Sequence, residues 1–430
     1  MKLPNLRWLI IALIGVATIV NYIDRNALAV MWPEIAPQIG ATKEDYALLV
    51  TIFMLFYALG QSLFGRLFDR IGTRIGFALS IAVWSVAIAL HAAASSILSF
   101  SLARALLGVS EAGAWPGAAK ANAEWFPVRE RAFAQGLFNA GASLGSIVSA
   151  PLIAILYLAI GWQATFLLVG LLGFAWLVPW LLVYRAGPEG HPWITAAERE
   201  HILSGRQSAG AAADSDYAPT WGQILRHRES WAVILCRFFI DPVWWLFVSW
   251  LPIYLAETFG FDIKQIGLFA WVPYVGAMLG SLFGGWLAGR LLRRGWQVGR
   301  VRRTVITLGG VIMLPSLLLT SSAATPLAAV LLIAVILFGF QTAIGNIQTL
   351  PSDLFSGRSV GTLAGISGTA AVAGVLITTW LVPAMTAQSY APIFALGASL
   401  VPLSILSVWL LGGRLTPVQP TPSSKQGAGA

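Results

Sequence analysis

Long apolar runs recur along the chain and are separated by short polar stretches. Each run can form a helix that crosses a hydrocarbon core of about 30 Å, because a helix rises about 1.5 Å per residue. Backbone groups in lipid must be hydrogen-bonded within their own segment, which favours helices over open strands. We therefore predict an all-α integral membrane fold with twelve transmembrane helices, approximately at residues 8–31, 46–65, 75–95, 97–119, 133–157, 163–184, 230–254, 266–289, 304–322, 326–347, 360–384 and 390–412.

The longest polar stretch lies midway along the chain and separates six predicted helices from the next six. Within it, Thr195 and Glu198 have the spacing of a helix-capping pair, and residues 208–216 are predicted to be flexible because they include few large apolar side chains. The C-terminal end is rich in Pro, Gly and Ser, which is typical of disorder. We divide the chain into a first half at 1–184, a cytoplasmic linker loop at 185–229, a second half at 230–415 and a disordered tail at 416–430.

The composition supports a membrane protein. Hydrophobic residues make up 57% of the 430 residues and charged residues only 10%, whereas soluble domains carry about 25% charged residues. Nearly all of the 27 Lys and Arg lie in the predicted termini and even-numbered loops. The exceptions are Lys43 and Lys264 in the opposite loops and Arg25, Arg104 and Arg237 within helices. Because positive charge is retained on the cytoplasmic side, both termini are predicted to be cytoplasmic.

The net charge of +9 is thus a signal of topology. A nucleic-acid partner requires a contiguous basic face, and we expect none because the basic residues are confined to short loops. Lys2 and Arg7 precede an apolar run as in a signal peptide, but Asp24 and Arg25 interrupt that run, so we interpret it as an uncleaved first helix. We expect anionic lipid headgroups against the densest basic cluster, which comprises Arg290, Arg293, Arg294, Arg300, Arg302 and Arg303.

Enzymatic and metal chemistry are not indicated. The single cysteine, Cys236, excludes an intramolecular disulfide, and the four histidines lack metal-ligand spacing. The sequence contains no recognisable set of nucleophile and base. We therefore predict a protein that is not an enzyme, needs no cofactor or metal, and functions as a monomer.

Six ionisable side chains lie within the predicted helices, although each costs about 2.5–3.5 kcal/mol on insertion scales. Asp24 and Arg25 are adjacent, so they diverge by about 100° on the first helix and each needs another partner. Arg25 is suited to hold a substrate carboxylate with its guanidinium fork, and Asp24 is suited to take up a proton. The alternative is a structural ion pair with the fourth helix.

The fourth helix carries Arg104 and Glu111, seven residues apart and therefore on one face, about 10.5 Å apart along the axis. Glu111 is surrounded by small residues, which suits a proton carrier; the alternative is a buried pair that joins the first and fourth helices. The seventh helix carries Arg237 and Asp241, four residues apart on one face. They could contact substrate or couple protons, or they could form an intrahelical ion pair.

Uncharged side chains give weaker signals. A substrate hydroxyl could bond to the side chains of Tyr57, Gln61, Asn139 and Asn346, although buried amides and phenols more often bond to a neighbouring helix. Trp244 follows Pro242, which kinks the seventh helix where a transporter could bend, and is a further candidate for substrate binding.

A basic segment bounded by glycines joins the second and third predicted helices. Its residues Gly65, Asp69, Arg70, Gly72 and Arg74 form a predicted conformational motif, and a weaker copy lies 220 positions later. The glycines let two helix ends approach closely. The segment resembles the loop between the second and third helices of the major facilitator superfamily, and its copy is what two related six-helix halves imply.

Further motifs resemble the anion:cation symporter family, and in particular bacterial hexuronate transporters, which are proton-coupled carriers of galacturonate and glucuronate. The likeness covers nearly the whole chain and rests on Asp24-Arg25, Glu111, the segments 124–131, 191–198 and 222–226, Arg237 to Pro242, and 352–355.

The resemblance implies a multi-pass protein of the bacterial inner membrane that imports a small organic anion with protons. It implies that Arg25 holds the sugar-acid carboxylate, that Tyr22 and Tyr57 line the same site, and that Asp24 and Glu111 carry protons, with Arg104 modulating Glu111. Some hexuronate carriers lack an acid at the position of Asp24, whereas related aldonate carriers have one. Alternative substrates are therefore an aldonate, an aldarate, tartrate or an aromatic acid. Uniport without protons and a transporter-like sensor are the alternative functions.

Overall fold

The computed structural model describes residues 2–210, 221–355, 358–413 and 415. The predicted disordered tail and most of the segment 208–216 lie outside these ranges. Fourteen α-helices occur in the described parts of the chain. They are α1 Leu6–Ile39, α2 Lys43–Leu90, α3 Ile97–Glu111, α4 Ala114–Trp125, α5 Val128–Val183, α6 Ala196–Gly210, α7 Trp221–Arg226, α8 Arg228–Phe259, α9 Ile263–Phe269, α10 Val272–Arg293, α11 Val298–Thr320, α12 Pro326–Leu354, α13 Arg358–Met385 and α14 Ala391–Leu411.

Two of these helices are too long for a single membrane crossing and bend at a glycine. In α2, Gly72 has φ 78° and ψ 165°, and in α5, Gly161 has φ 76° and ψ 171°. Ten stretches of the described helices are long and apolar enough to span a membrane. The stretch at 140–183 bends at Gly161 into two arms, each long enough for one crossing, and the part of α2 before Gly72 is also long enough for one. The predicted all-α membrane fold is confirmed.

Several predicted helix boundaries differ from the structure. The first helix was expected to end at residue 31, but α1 continues through Pro33 and Pro37 until Gly40 adopts a left-handed conformation. The fourth predicted helix is broken between Glu111 and Ala114 into α3 and α4. Pro116 explains the break, because it has no amide hydrogen to donate to the carbonyl of Ala112.

Glycines allow α2 and α3 to pack closely. A Cβ atom at Gly60 would lie 2.5 Å from the carbonyl oxygen of Val109, and one at Gly108 would collide with the carbonyl oxygen of Phe53. In lipid, helices associate by this kind of close packing at small residues. The contact determines how far α3 stands from α2.

We expect Gly108→Val to destabilise the protein by about 1–3 kcal/mol, the usual cost of overpacking, because Phe53 contributes rigid backbone to the contact. Thermal unfolding in detergent would measure the loss. The matched control is Gly345→Val within α12, since a Cβ atom there meets nothing within 4 Å. Equal unfolding temperatures for the two variants would contradict the close packing of α2 and α3.

The linker is fastened to the start of α1. As predicted, Thr195 caps α6, accepting a hydrogen bond from the amide of Glu198 at 3.2 Å. The Glu198 carboxylate, however, accepts from the amides of Leu6 at 3.0 Å and Arg7 at 3.1 Å and pairs with the Arg7 guanidinium at 2.9 Å. Arg7 also binds Glu130. Burial raises the pKa of Glu130, but hydrogen bonds from His201 and Arg7 outweigh it and leave that pKa below its usual value.

Candidate functional site

A cavity lies between α1, α2 and α3 of the first half and α8 of the second. Two arginines, Arg25 and Arg104, line it, together with an aromatic wall that includes Tyr46, Phe53 and Trp245. Cavities at the interface of related halves are where carriers of this helical architecture bind their ligands. We therefore define this space as the arginine cavity.

Arg25 is buried and paired across helices. Its Nη2 and Nε atoms donate to one Glu111 oxygen at 2.9 Å and 3.2 Å, and Nη2 also donates to Asn21 at 3.3 Å. The guanidinium lies 5.1–5.3 Å from the centroids of four aromatic rings, an arrangement that favours a cation. These rings belong to Tyr22, Phe53, Tyr57 and Trp245. The structure thus brings Arg25, Tyr22, Tyr57 and Glu111 together, with the ion pair that the sequence left as an alternative.

Arg104 is as deeply buried as Arg25 but has no carboxylate partner among the described residues. Its side chain is 4% exposed, and its Nε atom has no hydrogen-bond partner among the described residues. The guanidinium carbon lies 5.4 Å from the Phe53 ring. The arginine cavity therefore contains two guanidinium groups, of which only one is neutralised by a described side chain.

Asp24, like Arg104, is buried and lacks a described partner for its charged group. It is 1% exposed, and neither of its carboxyl oxygens has a hydrogen-bond partner among the described residues. The sequence predicted a partner for Asp24, and this expectation is wrong for the described part of the chain. An unpaired carboxylate at this depth is costly, whereas a neutral carboxylic acid is much less so.

In the second half, Arg237 donates to Asp241 within α8 at 2.6 Å, which is the intrahelical alternative. Trp244 packs on Phe340 and Tyr274 rather than on the arginine cavity. Its neighbour Trp245 reaches Arg25 instead, and the sequence reasoning missed it. The spacing of positions 237, 241 and 245 places them on one helical stripe and could have identified this tryptophan.

Tyr46 is a second residue that the sequence reasoning missed. Its hydroxyl donates to the carbonyl oxygen of Ser249 at 2.7 Å, and its ring packs on Trp32 and Trp250. It therefore joins α2 of the first half to α8 of the second beside the arginine cavity. Tyr46 is the fourth residue of α2, and nothing in the neighbouring sequence indicated a contact with α8.

The remaining uncharged candidates are not among the residues that line the arginine cavity, or their side chains are not described. Asn346 accepts a hydrogen bond from Arg302 at 2.9 Å, and Arg302 also pairs with Asp353 at 2.8 Å. This group lies towards the end of α12 and does not line the arginine cavity, so the structure separates Asn346 from the predicted site. Gln61 lies one turn after Tyr57 and is exposed. The side chain of Asn139 lies outside the described part of α5.

The predicted conformational motif is a kinked helix rather than a loop. Gly65 and Asp69 lie within α2, and only their helical backbone is described. Helical structure continues on both sides of Gly72, which alone leaves the helical region. Arg74 donates to the carbonyl oxygen of Leu181 at 3.0 Å, and Arg70 is exposed.

Four polar side chains form an ion pair and hydrogen bonds between the two halves, near the start of α2 and the end of α8. Lys43 pairs with Glu257 at 2.6 Å and donates to Thr386 at 3.2 Å, and Tyr390 donates to Glu257 at 2.7 Å. We name Lys43, Glu257, Thr386 and Tyr390 the clasp. The described chain contains no group of His, Cys, Asp and Glu side chains suited to a metal.

Comparisons with known proteins agree with this architecture. The hexuronate transporter of Escherichia coli (strain K12) is 32% identical over 412 residues, which cover 95% of this chain and 94% of the relative. The galacturonate transporter of Dickeya chrysanthemi is 34% identical and covers 73% of this chain and 90% of the relative. The D-galactonate transporter of Escherichia coli O6:H1 is 30% identical, with coverages of 95% and 96%.

A solved structure is also similar. A bacterial homologue of the human lysosomal transporter Spinster, in an inward-facing and unoccupied conformation, has a TM-score of 0.68 at 18% identity and covers 95% of each chain, which shows a shared fold. The family model described as Major Facilitator Superfamily matches residues 14–379. The chain is therefore a multi-pass membrane protein and no enzyme: it belongs to the Major Facilitator Superfamily of transporters, as the glycine-bounded segment predicted.

Proposed function

We propose that this protein is a proton-coupled importer of a small organic anion, with a hexuronate as the substrate that fits best. The observation that carries the proposal is the presence of two buried guanidinium groups, Arg25 and Arg104, in one cavity with a single paired carboxylate, Glu111. Such a site has an excess positive charge in a setting where charge is costly, so an anion is the ligand that it favours. The hexuronate, galacturonate and galactonate transporters among the relatives support a sugar acid.

The binding step uses both arginines. Arg104 has no described carboxylate partner, so the substrate carboxylate supplies one. This role differs from the one that the family resemblance implies, in which Arg104 only modulates Glu111. Arg25 becomes available when Glu111 takes up a proton and no longer competes for the guanidinium. One proton and one monoanion then enter together and leave the net charge of the site unchanged. Binding of the proton and binding of the anion therefore favour each other.

Asp24 provides a second carboxyl group for proton transfer. It lies beside Arg25 in the sequence, and no described donor bonds to its carboxyl oxygens. Protonation makes the buried group neutral and so lowers the cost of its burial. We assign the substrate cavity to Arg25 and Arg104 with Tyr22, Tyr57 and Trp245. Arg237 and Asp241 neutralise each other in α8. They lie on the same stripe of α8 as Trp245, which contacts Arg25.

Transport proceeds by alternating access, with the two halves rocking around the arginine cavity. We place the protein in the bacterial inner membrane with both termini in the cytoplasm, so that the clasp faces the periplasm. The clasp is closed here, and it must open for the substrate to enter from that side.

A cross-link across the clasp should therefore stop transport. In a Cys236→Ser background, Lys43→Cys combined with Glu257→Cys should lose uptake when treated with a reducible bifunctional thiol reagent, and reduction should restore it. The control combines Glu44→Cys with Glu257→Cys, because Glu44 is exposed and points about 100° away from its neighbour on α2. Full uptake by the cross-linked clasp variant would show that the clasp does not open during transport.

The proposed function is tested with purified protein in liposomes. Labelled galacturonate uptake is measured with and without an inward proton gradient. Accumulation above equilibrium is expected only with the gradient. Equilibration without accumulation would remove proton coupling from the proposal, and no uptake at all would exclude galacturonate as substrate.

A dicarboxylate such as an aldarate is the second candidate, because two guanidinium groups share one cavity and could each hold one carboxylate. Competition distinguishes the two substrates. Glucarate should inhibit galacturonate uptake less strongly than unlabelled galacturonate if the substrate is a monoanion, and more strongly if it is a dianion.

A further inference from the structure

A second, small cavity lies next to the arginine cavity, between α1 and α5 of the first half and α8 and α10 of the second. Ala29 and Val248 line both cavities, so the two spaces are neighbours along one turn of α1. The described residues that line the second cavity include Asn26, Ser149 and Tyr274, and none of its lining residues is charged. We name it the neutral cavity.

The neutral cavity contains hydrogen-bond acceptors that lack donors. Asn26 is 3% exposed, and its Nδ2 atom donates to the Ser149 hydroxyl at 3.0 Å, but its Oδ1 atom has no described partner. Val248 and Pro252 both line the cavity. Because proline has no amide hydrogen, Pro252 leaves the carbonyl of Val248 without its α-helical donor.

The hydroxyl groups near this cavity are already engaged. Ser149 donates to the carbonyl oxygen of Ser146 at 2.9 Å, and Tyr274 donates to that of Phe247 at 3.4 Å. The cavity thus presents acceptors and lacks a cation among the described side chains, and the second amide hydrogen of Asn26 is its remaining donor. A neutral group that donates hydrogen bonds matches this pattern, whereas an anion does not.

We infer that the neutral cavity is the hydroxyl-binding subsite of this transporter. The substrate carboxylate occupies the arginine cavity, and a hydroxyl group farther along the same molecule donates to Asn26 Oδ1 and to the Val248 carbonyl. This inference rests on the proposed function and narrows its substrate class to polyhydroxy acids.

The inference explains selectivity by the cost of leaving a buried acceptor unpaired. A hydroxyl-free acid that binds here leaves Asn26 Oδ1 buried without a hydrogen-bond donor. A site built around a substrate hydroxyl rejects analogues without it far more strongly than an apolar pocket rejects a missing methylene group. Asn26 therefore determines specificity, while the arginines determine affinity for the anionic end.

The test compares galacturonate with cyclohexanecarboxylate, a ring acid of the same charge without hydroxyl groups. Both are used as competitors of labelled galacturonate uptake in liposomes. The wild-type protein should prefer galacturonate, and Asn26→Ala should reduce that preference at least about 10-fold. Asn26→Ser, which retains a polar oxygen, should recover part of it. Ser404→Ala is the control, because this buried serine bonds to Cys236 outside both cavities.

The outcomes separate the two proposals. If the wild-type protein takes up galacturonate selectively and Asn26→Ala keeps the same preference, the hydroxyl-binding subsite is wrong and the proposed function stands. An equal change in the inhibition constants of both acids would also overturn the subsite, since it indicates a role in packing only. If the wild-type protein does not take up galacturonate, the hexuronate assignment fails and the subsite fails with it. If it takes up galacturonate without preferring it, only the subsite is overturned. Should Asn26→Ala not fold, the preference measured with Asn26→Ser decides in the same way.

Discussion

Glu111→Gln should abolish proton-driven accumulation while preserving exchange of labelled for unlabelled substrate across the membrane. Glutamine has nearly the shape of glutamate and can still accept a hydrogen bond from Arg25 through its amide oxygen. It cannot take up a proton, and it does not neutralise the guanidinium as the Glu111 carboxylate does at 2.9 Å. The variant should therefore bind the anion whether or not protons are abundant.

The expected size of this effect follows from the gradient. A difference of one pH unit corresponds to about 1.4 kcal/mol per proton, which supports about tenfold accumulation of a singly coupled substrate. The variant should reach only equal concentrations inside and outside. Uptake and exchange in liposomes measure both quantities, with exposed Glu44→Gln as the control for loss of a carboxylate elsewhere. If Glu111→Gln accumulated substrate as the wild type does, Glu111 would have no part in coupling.

Arg104→Gln should weaken substrate binding strongly and yet leave the folded protein as stable as the wild type or more stable. A hydrogen bond to a charged group contributes about 1.5–3 kcal/mol, so the Michaelis constant should rise about 10- to 100-fold. Arg104 has no carboxylate partner among the described residues, so its removal relieves the cost of a buried charge and breaks no pair.

Arg25→Gln is the matched comparison, because it removes a guanidinium from the same cavity but leaves Glu111 without its partner. Breaking a buried ion pair costs about 3–5 kcal/mol when one charge remains. This variant should therefore lose both binding and thermal stability, whereas Arg104→Gln should lose only binding. Substrate-dependent uptake and thermal unfolding in detergent separate the two. Equal loss of stability in both variants would mean that Arg104 has a structural partner and is not the free anion-binding group.

Many features of the site follow from local rules that the sequence displays directly. Asp24, Arg25, Arg104 and Glu111 stand out because each interrupts an apolar run where charge is expensive. Their helical spacing predicted that Asp24 and Arg25 diverge, and Thr195 correctly marked the start of α6. These features depend only on neighbouring residues and on the membrane as solvent.

Other features needed the contacts between helices. Glu111 lies on the same helix face as Arg104, but it pairs with Arg25 on α1. Trp245, not Trp244, contacts Arg25, and Asn346 is bonded by Arg302. Each of these outcomes depends on how a helix is rotated and how close its neighbour stands, which sequence spacing does not define.

The sequence by itself determined the membrane class, the helical fold, the family and the buried ionisable residues, because length, hydropathy and the cost of charge in lipid are properties of single segments. The tertiary structure alone decided that Arg104 of the arginine cavity has no carboxylate partner among the described residues, which end of the molecule the clasp closes, and that a neutral cavity adjoins the arginine cavity. The physical reason is packing. Contacts such as Gly108 against Phe53 set the distance and rotation of neighbouring helices, and those in turn decide which side chains from different helices meet.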